Sequence, residues 1–227
     1  ALSAALSGTG YGIPERCADG FIGGGMAMAM AAVKRICRYL KGAAHYVLSA
    51  ELHCGKGWRF CCDSDFAGNA EIQNKRRSQN GYVATENSAA VLWGSKVSSV
   101  TFAHPEIGEA HADISSGAAE IYAAANATFE FLHLSYVTDE MALDFPAPIS
   151  LEIDNTTAEA FTANSAFKSK LKHIDVRQQW VQTLRDKAIL VPQHVDTKDN
   201  LADLFTKILP TTDFQRLHDM IMVLFPQ

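Results

Sequence analysis

The order of extended and helical segments predicts an α/β protein built on a mixed sheet with helices on its faces. Two observations carry this expectation. The first half holds extended candidates joined by short turns, and the second half alternates helical periodicity with apolar strands. With 227 residues, 48% of them hydrophobic, the chain has material for a real core in one large or two small domains.

Taken in order, residues 1–25 are rich in Gly, Ala and Ser and predict irregular structure. In "MAMAMAAVKRICRYLKG" the residues Met30, Val33, Ile36, Cys37 and Leu40 recur at helical spacing, and Gly42 supplies a stop. "HYVLSAEL" and "GWRFCCD" follow as extended segments. "GYVATENSAAVLWGSK" reads as a hairpin with strands at Tyr82–Thr85 and Val91–Trp93. The Pro-Glu-Ile-Gly break in Val97–Asp113 predicts a long loop. "SSGAAEIYAAANATFEFLHLSYV" predicts a helix capped by Ser115 or Ser116, with Glu120 in its first turn. "ISLEIDN" alternates Ile149, Leu151 and Ile153 and ends on Asp154. "TTAEAFTANS" and "HIDVRQQWVQTLRDK" predict helices, the second with Ile174, Trp180, Val181 and Leu184 on one face. "AILVPQHV" predicts a strand whose internal Pro192 assigns it to an edge or bulge. "TKDNLADLFTKIL" predicts a closing helix with Leu201, Leu204 or Phe205, and Ile208 on its core face and Asp203 off that face.

The formal net charge of −5 gives no global sign of a nucleic-acid binder. Locally, Lys75, Arg76 and Arg77 stand together, and Lys168, Lys170, Lys172, His173 and Arg177 fall within one stretch. Such islands suit a solvated surface or a grip on phosphates. No apolar run reaches the roughly 18 to 20 residues of a membrane helix, and the N-terminal residues lack the pattern of a signal peptide, so an intracellular, soluble protein is expected. The five cysteines show no metal-ligand spacing and predict buried free thiols.

Acids recur at the ends of these elements. Asp63 and Asp154 close strands, while Glu120 and Asp203 open helices. Asp63 and Asp65 on their own also suit the start of a turn. Four carboxylates gathered at one sheet edge would repel one another unless divalent cations balanced them, and oxygen-only ligands favour Mg²⁺ or Mn²⁺. Two such ions roughly 3.5 to 4 Å apart clamp the attacking and leaving oxygens of a phosphodiester.

At these residues the sequence resembles the ribonuclease H domain at the C-terminal end of copia-type retrotransposon polyproteins. "AAVKRICRYLKGA" resembles the segment that leads out of the reverse transcriptase. "CCDSDFAG" is similar to the family's "SDADWAG", "KRRSQNGYV" to "RKSTSGYV", and "VLWGSK" to "ISWSSK". "ISSGAAEIYAA" corresponds to "LSSTEAEYIAL", "LEIDNTTA" to "CDNQSA", "LKHIDVRQQWV" to "TKHIDIRYHFI", and "VDTKDNLADLFTKILP" to "VPTKDQLADIFTKPLP". These eight motifs stand in family order across residues 31–210.

The resemblance implies a ribonuclease H-like, five-stranded mixed sheet with helices on its faces, preceded by a short helical connection segment. With the composition, it gives the expected division into an irregular segment 1–25, which matches nothing in the family, a connection 26–57, the nuclease domain 58–210 and a C-terminal helix 211–227. It implies Asp63, Glu120, Asp154 and Asp203 as catalytic, metal-binding acids with two Mg²⁺ ions, or Mn²⁺ in their place, and Asp65 in support. The expected reaction is hydrolysis of the RNA strand of an RNA–DNA hybrid during reverse transcription, leaving 5′-phosphate ends. Lys75, Arg76, Arg77, Lys170 and Lys172 are the expected phosphate contacts, and Asn155 could reach a 2′-hydroxyl or cap a turn. Besides the hybrid, the reverse transcriptase part of the same polyprotein is an expected partner; the expected setting is the cytoplasm, virus-like particles or the nucleus.

The family's first glutamate of "STEAEY" is Ala118 in this chain, and the loop holding His104, Glu106, Glu109 and His111 is roughly ten residues longer than the family pattern. These departures and the acidic balance motivate one alternative, a decayed or host-adopted nucleic-acid-binding module; that one fold hosts several chemistries leaves a second, a different nuclease of the same superfold. His194 suits a strand edge or a mobile histidine near the site, and His173 a helix start. The absence of a Tyr-x-Asp-Asp pair argues against polymerase activity in this chain.

Overall fold

Eight consecutive residues, Trp58–Asp65, form strand β2 at the centre of the main sheet. The computed structural model describes residues 23–47, 57–66, 77–98, 102–104, 108–110, 116–154 and 172–224. Ahead of β2 lie helix α1 (Gly23–Gly42) and the two-residue strand β1 (Tyr46–Val47). After it, β3 (Gln79–Glu86) and β4 (Ala89–Val97) form an antiparallel hairpin whose turn places Asn87 and Ser88 at positive φ. A small separate hairpin follows, β5 (Phe102–His104) with β6 (Gly108–Ala110). Next come α2 (Ser116–Glu140), β7 (Ile149–Ile153), α3 (Lys172–Asp186) and β8 (Leu190–His194). A 3₁₀ turn at Thr197–Asp199, the one-turn helix α4 (Asp203–Thr206), α5 (Thr211–Ile221) and β9 (Val223–Leu224) end the described chain.

The main sheet has five strands in the order β4-β3-β2-β7-β8. Its first three strands are antiparallel neighbours, while β7 runs parallel to both β2 and β8. This is the five-stranded mixed sheet with helices on its faces that the sequence predicts. Alternation along the strands divides the core. Phe60, Cys62, Tyr82, Leu151 and Ile153 pack with Ile121, Ala124 and Phe131 of α2 and Val181 and Leu184 of α3. On the other side, Cys61 and Val83 meet Leu201, Leu204 and Phe205 around α4 and Leu217 and Ile221 of α5. The short alanines of α2 let it lie close to the sheet.

Several expectations change. Strand β2 continues through Asp65, so Asp63 lies inside the strand, paired opposite Gly81. Helix α2 opens at Ser116, which places Glu120 one turn in. The Val97–Asp113 loop contains the β5–β6 hairpin. The closing segment is no continuous helix, because Asn200 takes an extended conformation and turns its side chain inward. Asp203 is accordingly buried and Ile208 is 68% exposed. In α1, Met30, Val33 and Leu40 are about half exposed; Cys37 is an exposed free thiol rather than a buried one, while Cys61 and Cys62 are buried free thiols as expected. Pro192 sits in edge strand β8, where its missing N–H costs no ladder bond on the open side. The "TTAEAFTANS" segment, Cys17 and Cys54 lie outside the described residues. No described helix is long and apolar enough to cross a membrane.

Candidate metal centre

The parallel register of β2 and β7 pairs Phe60 with Leu151 and Cys61 with Glu152, which brings Asp63 level with Asp154 at the end of β7. Glu120 arrives from α2. One carboxylate oxygen from each of Asp63, Glu120 and Asp154 lies within 4.8 Å of the other two. Three segments distant in sequence thus deliver acids to one point.

Asp203 reaches this cluster through a residue the sequence reading passed over. The Lys207 Nζ donates to Asp203 Oδ1 at 2.8 Å and to Asp63 Oδ1 at 3.1 Å, and lies 3.9 Å from Asp154 Oδ2. The Thr206 hydroxyl donates to the other Asp63 oxygen. The i,i+4 spacing of Asp203 and Lys207 in "DLFTK" was the available signal, but such pairs are common on helix surfaces.

Local chemistry holds α4 in place. Asn200, fully buried, donates from Nδ2 to the Cys62 carbonyl of β2 and accepts the Ala202 N–H on Oδ1, both at 3.0 Å. Gly81 lets α4 approach β3: a Cβ on it would stand 2.6 Å from Thr206 Cγ2 and 3.0 Å from Phe205 Cβ. To the side, the Arg59 guanidinium pairs with Glu152 across β2 and β7 and donates to the Asp199 carbonyl, tying the sheet to the turn before α4.

Burial and mutual repulsion govern the acids. Desolvation, then the charges of Asp63 and Asp154, push Glu120 up to about 9. Desolvation and Asp63 raise Asp203 to about 7 against the opposing pull of Lys207, and the same causes raise Asp154. Asp65, half-buried at the end of β2, is raised by desolvation and Asp63. Lys207 is held charged, because the acids around it outweigh its burial.

The residues present fit a hard divalent cation. All donors are carboxylate oxygens, and Glu120 Oε2 is buried without a hydrogen-bond partner although the residue is only 4% exposed. An oxygen so placed is costly unless it is protonated or meets a cation.

Of the expected nucleic-acid contacts, Arg77 is half-buried just ahead of β3. Lys75, Arg76, Asn155 and Lys170 lie outside the described residues, as do the side chains of Lys172 and His173. The same holds for Glu106, His111 and the side chains of His104 and Glu109. His194 is exposed on β8.

No protein-family model matches the chain. It is similar to the retrovirus-related Pol polyprotein from transposon TNT 1-94 of Nicotiana tabacum, at 29% identity over 192 residues, covering 84% of this chain and 13% of that protein. Against the Pol polyprotein from transposon RE1 of Arabidopsis thaliana it is 28% identical, covering 85% of this chain and 12% of that protein. The chain thus spans about an eighth of the length of the curated relatives it matches. Among solved structures, LC11-RNase H1 from compost aligns with a TM-score of 0.43 at 15% identity, covering 66% of this chain and 92% of the other. RNase H1 from the halophilic archaeon Halobacterium salinarum aligns with a TM-score of 0.37 at 19% identity, covering 65% and 92%.

Proposed function

We propose that this chain, a homologue of one segment of the retrovirus-related Pol polyproteins of plant transposons, is a divalent-cation-dependent ribonuclease H that hydrolyses the RNA strand of RNA–DNA hybrids. The observation that carries this reading is the convergence of Asp63, Glu120 and Asp154 within 4.8 Å, with a buried Glu120 oxygen left unpartnered.

Asp63, Glu120, Asp154 and Asp203 would hold two Mg²⁺ ions, with Mn²⁺ as a substitute. Bound there, the cations supply Lewis-acid charge that makes a water nucleophilic at neutral pH and stabilises the departing oxygen. The protein's own part is to fix the acids. Thr206 orients Asp63, Asn200 fixes the turn that carries Asp203, and the β2–β7 register sets Asp154 beside Asp63. In the reaction the water oxygen bonds to phosphorus and the bond to the 3′ oxygen breaks. One water proton passes to solvent, the leaving oxygen takes up another, and the downstream fragment keeps a 5′ phosphate. Lys75, Arg76, Arg77, Lys170 and Lys172 are proposed to contact backbone phosphates, and Asn155 a 2′-hydroxyl of the RNA strand.

The test is a labelled RNA–DNA hybrid incubated with the chain and Mg²⁺ or Mn²⁺, beside an Asp154→Asn variant and an EDTA control. The expected outcome is cleavage of the RNA strand alone, reduced at least about 100-fold in the variant, on the scale of removing a group that stabilises transition-state charge, and abolished by EDTA. Hybrid binding without cleavage would instead assign a decayed nuclease, and preferential cutting of duplex DNA a different enzyme of the superfold.

A further inference from the structure

Lys207 puts its ammonium where two carboxylates from different elements face each other. Its Nζ bridges Asp63 Oδ1 of β2 and Asp203 Oδ1 of α4, at 3.1 and 2.8 Å. Its distance to Asp154 is longer, 3.9 Å. Asp203 is outside the tight cluster of Asp63, Glu120 and Asp154, and it is Lys207 that joins it to Asp63. The cluster therefore has two unlike halves. One, toward Glu120, has an orphaned oxygen. The other, between Asp63 and Asp203, is already filled by a positive charge.

We propose that Lys207 is a positioning residue that holds the place of one cation between Asp63 and Asp203, so that two divalent ions bind in sequence. The first enters at Asp63, Glu120 and Asp154 without disturbing Lys207. The second enters only by displacing the ammonium. The chain allows that displacement, because the Lys207 side chain is 30% exposed and its backbone has already left the helix in an extended conformation. The four-carbon stem can swing toward solvent without unwinding α4. In the cation-free chain the same ammonium relieves the repulsion between Asp63 and Asp203 and so keeps the acids in place. The proposal rests on reading the acid cluster as a metal centre.

The test is a calorimetric titration of Mn²⁺ into the whole chain without nucleic acid. The wild type is expected to bind two ions in steps separated by about tenfold or more in affinity. Lys207→Met is expected to tighten the second step about tenfold while moving the first by less than about threefold, because the fraction of chain competent for the second ion no longer has to be released by lysine. Lys207→Arg, which keeps the charge, is expected to restore the gap. The wild-type isotherm alone keeps the test decisive if Lys207→Met does not fold. Two equal steps in the wild type, or a second step that Lys207→Met leaves unmoved, overturn the proposal. Equal steps in a wild-type chain that still cleaves hybrid overturn it and leave the nuclease reading standing, whereas no Mn²⁺ binding by wild type and variant overturns both.

Discussion

Glu120 couples the proposed chemistry to folding. Its carboxyl is raised from 4.5 to about 9 by desolvation and by Asp63 and Asp154, so between those pH values the folded chain holds a proton that the unfolded chain has released. The sign follows: this contribution to stability is complete below about 4.5 and is lost as pH rises through about 9. Asp203, raised to about 7, adds a loss of the same sign within the same range. Lys207 stays charged across it, since its own value is raised further above the lysine range. With EDTA present, the melting temperature should therefore fall steadily from pH 5 to pH 9. Saturating Mn²⁺ should remove most of that slope, and Glu120→Gln should remove its upper part. A flat profile in EDTA would show that the acids are solvated in solution.

At the scale of elements, the site depends on α4 seated against β2 and β3. Gly81→Ala would drive a Cβ into Thr206 and Phe205, and overpacking of this kind costs about 1–3 kcal/mol. It should also lower hybrid cleavage, because Thr206 and Asp203 shift with α4; urea unfolding and the cleavage assay read the two effects separately. Asn200→Leu leaves the Cys62 carbonyl and the Ala202 N–H without their buried partner and should cost about 2 kcal/mol or more by urea unfolding. An unchanged midpoint would show that α4 is held otherwise. These elements also show what the amino-acid order reveals. Strand alternation made Asp154 legible as a strand end, and Pro192 marked β8 as an edge. Asp63 was legible as a candidate acid but not as an interior strand residue, because "SDFAG" reads as turn chemistry while pairing with β3 carries the strand on to Asp65. The break at Asn200 was hidden for a similar reason. Its cause is a bond to Cys62, 138 residues away in sequence. Lys207 was missed because a lysine four residues after an aspartate has a local explanation, and only the fold adds Asp63 and Asp154 to its surroundings.

For the molecule as a whole, the short strand after α1 meets the last described strand. Strand β1 pairs with β9, Tyr46 with Leu224 and Val47 with Val223. Between them a buried His218 lies edge-on to Tyr46 and Tyr39, and Phe214 packs against Tyr39 and His218. Helix α1 meets α5 through the ring of Tyr39, while Met30, Val33 and Leu40 remain about half exposed. Deleting residues 222–227 should release β1 and speed hydrogen exchange at Tyr46 and Val47 while leaving amides of β2 and β7 protected. Loss of protection throughout the sheet would show that the N-terminal helix belongs to the same cooperative unit.

The pairing of β2 with β7 also constrains how copies of such a chain can diverge. Ile149, Leu151 and Ile153 fill the core on alternate positions, and Asp154 follows them at a fixed step. Inserting or deleting one residue inside β7 turns the apolar side chains on one side of the change to the wrong face, or moves the acid out of step with them. A lineage can therefore lose the proposed chemistry and keep its shape through point substitutions at the acids, but a length change within this strand disturbs both together. Folded, inactive descendants should carry β7 at its full length.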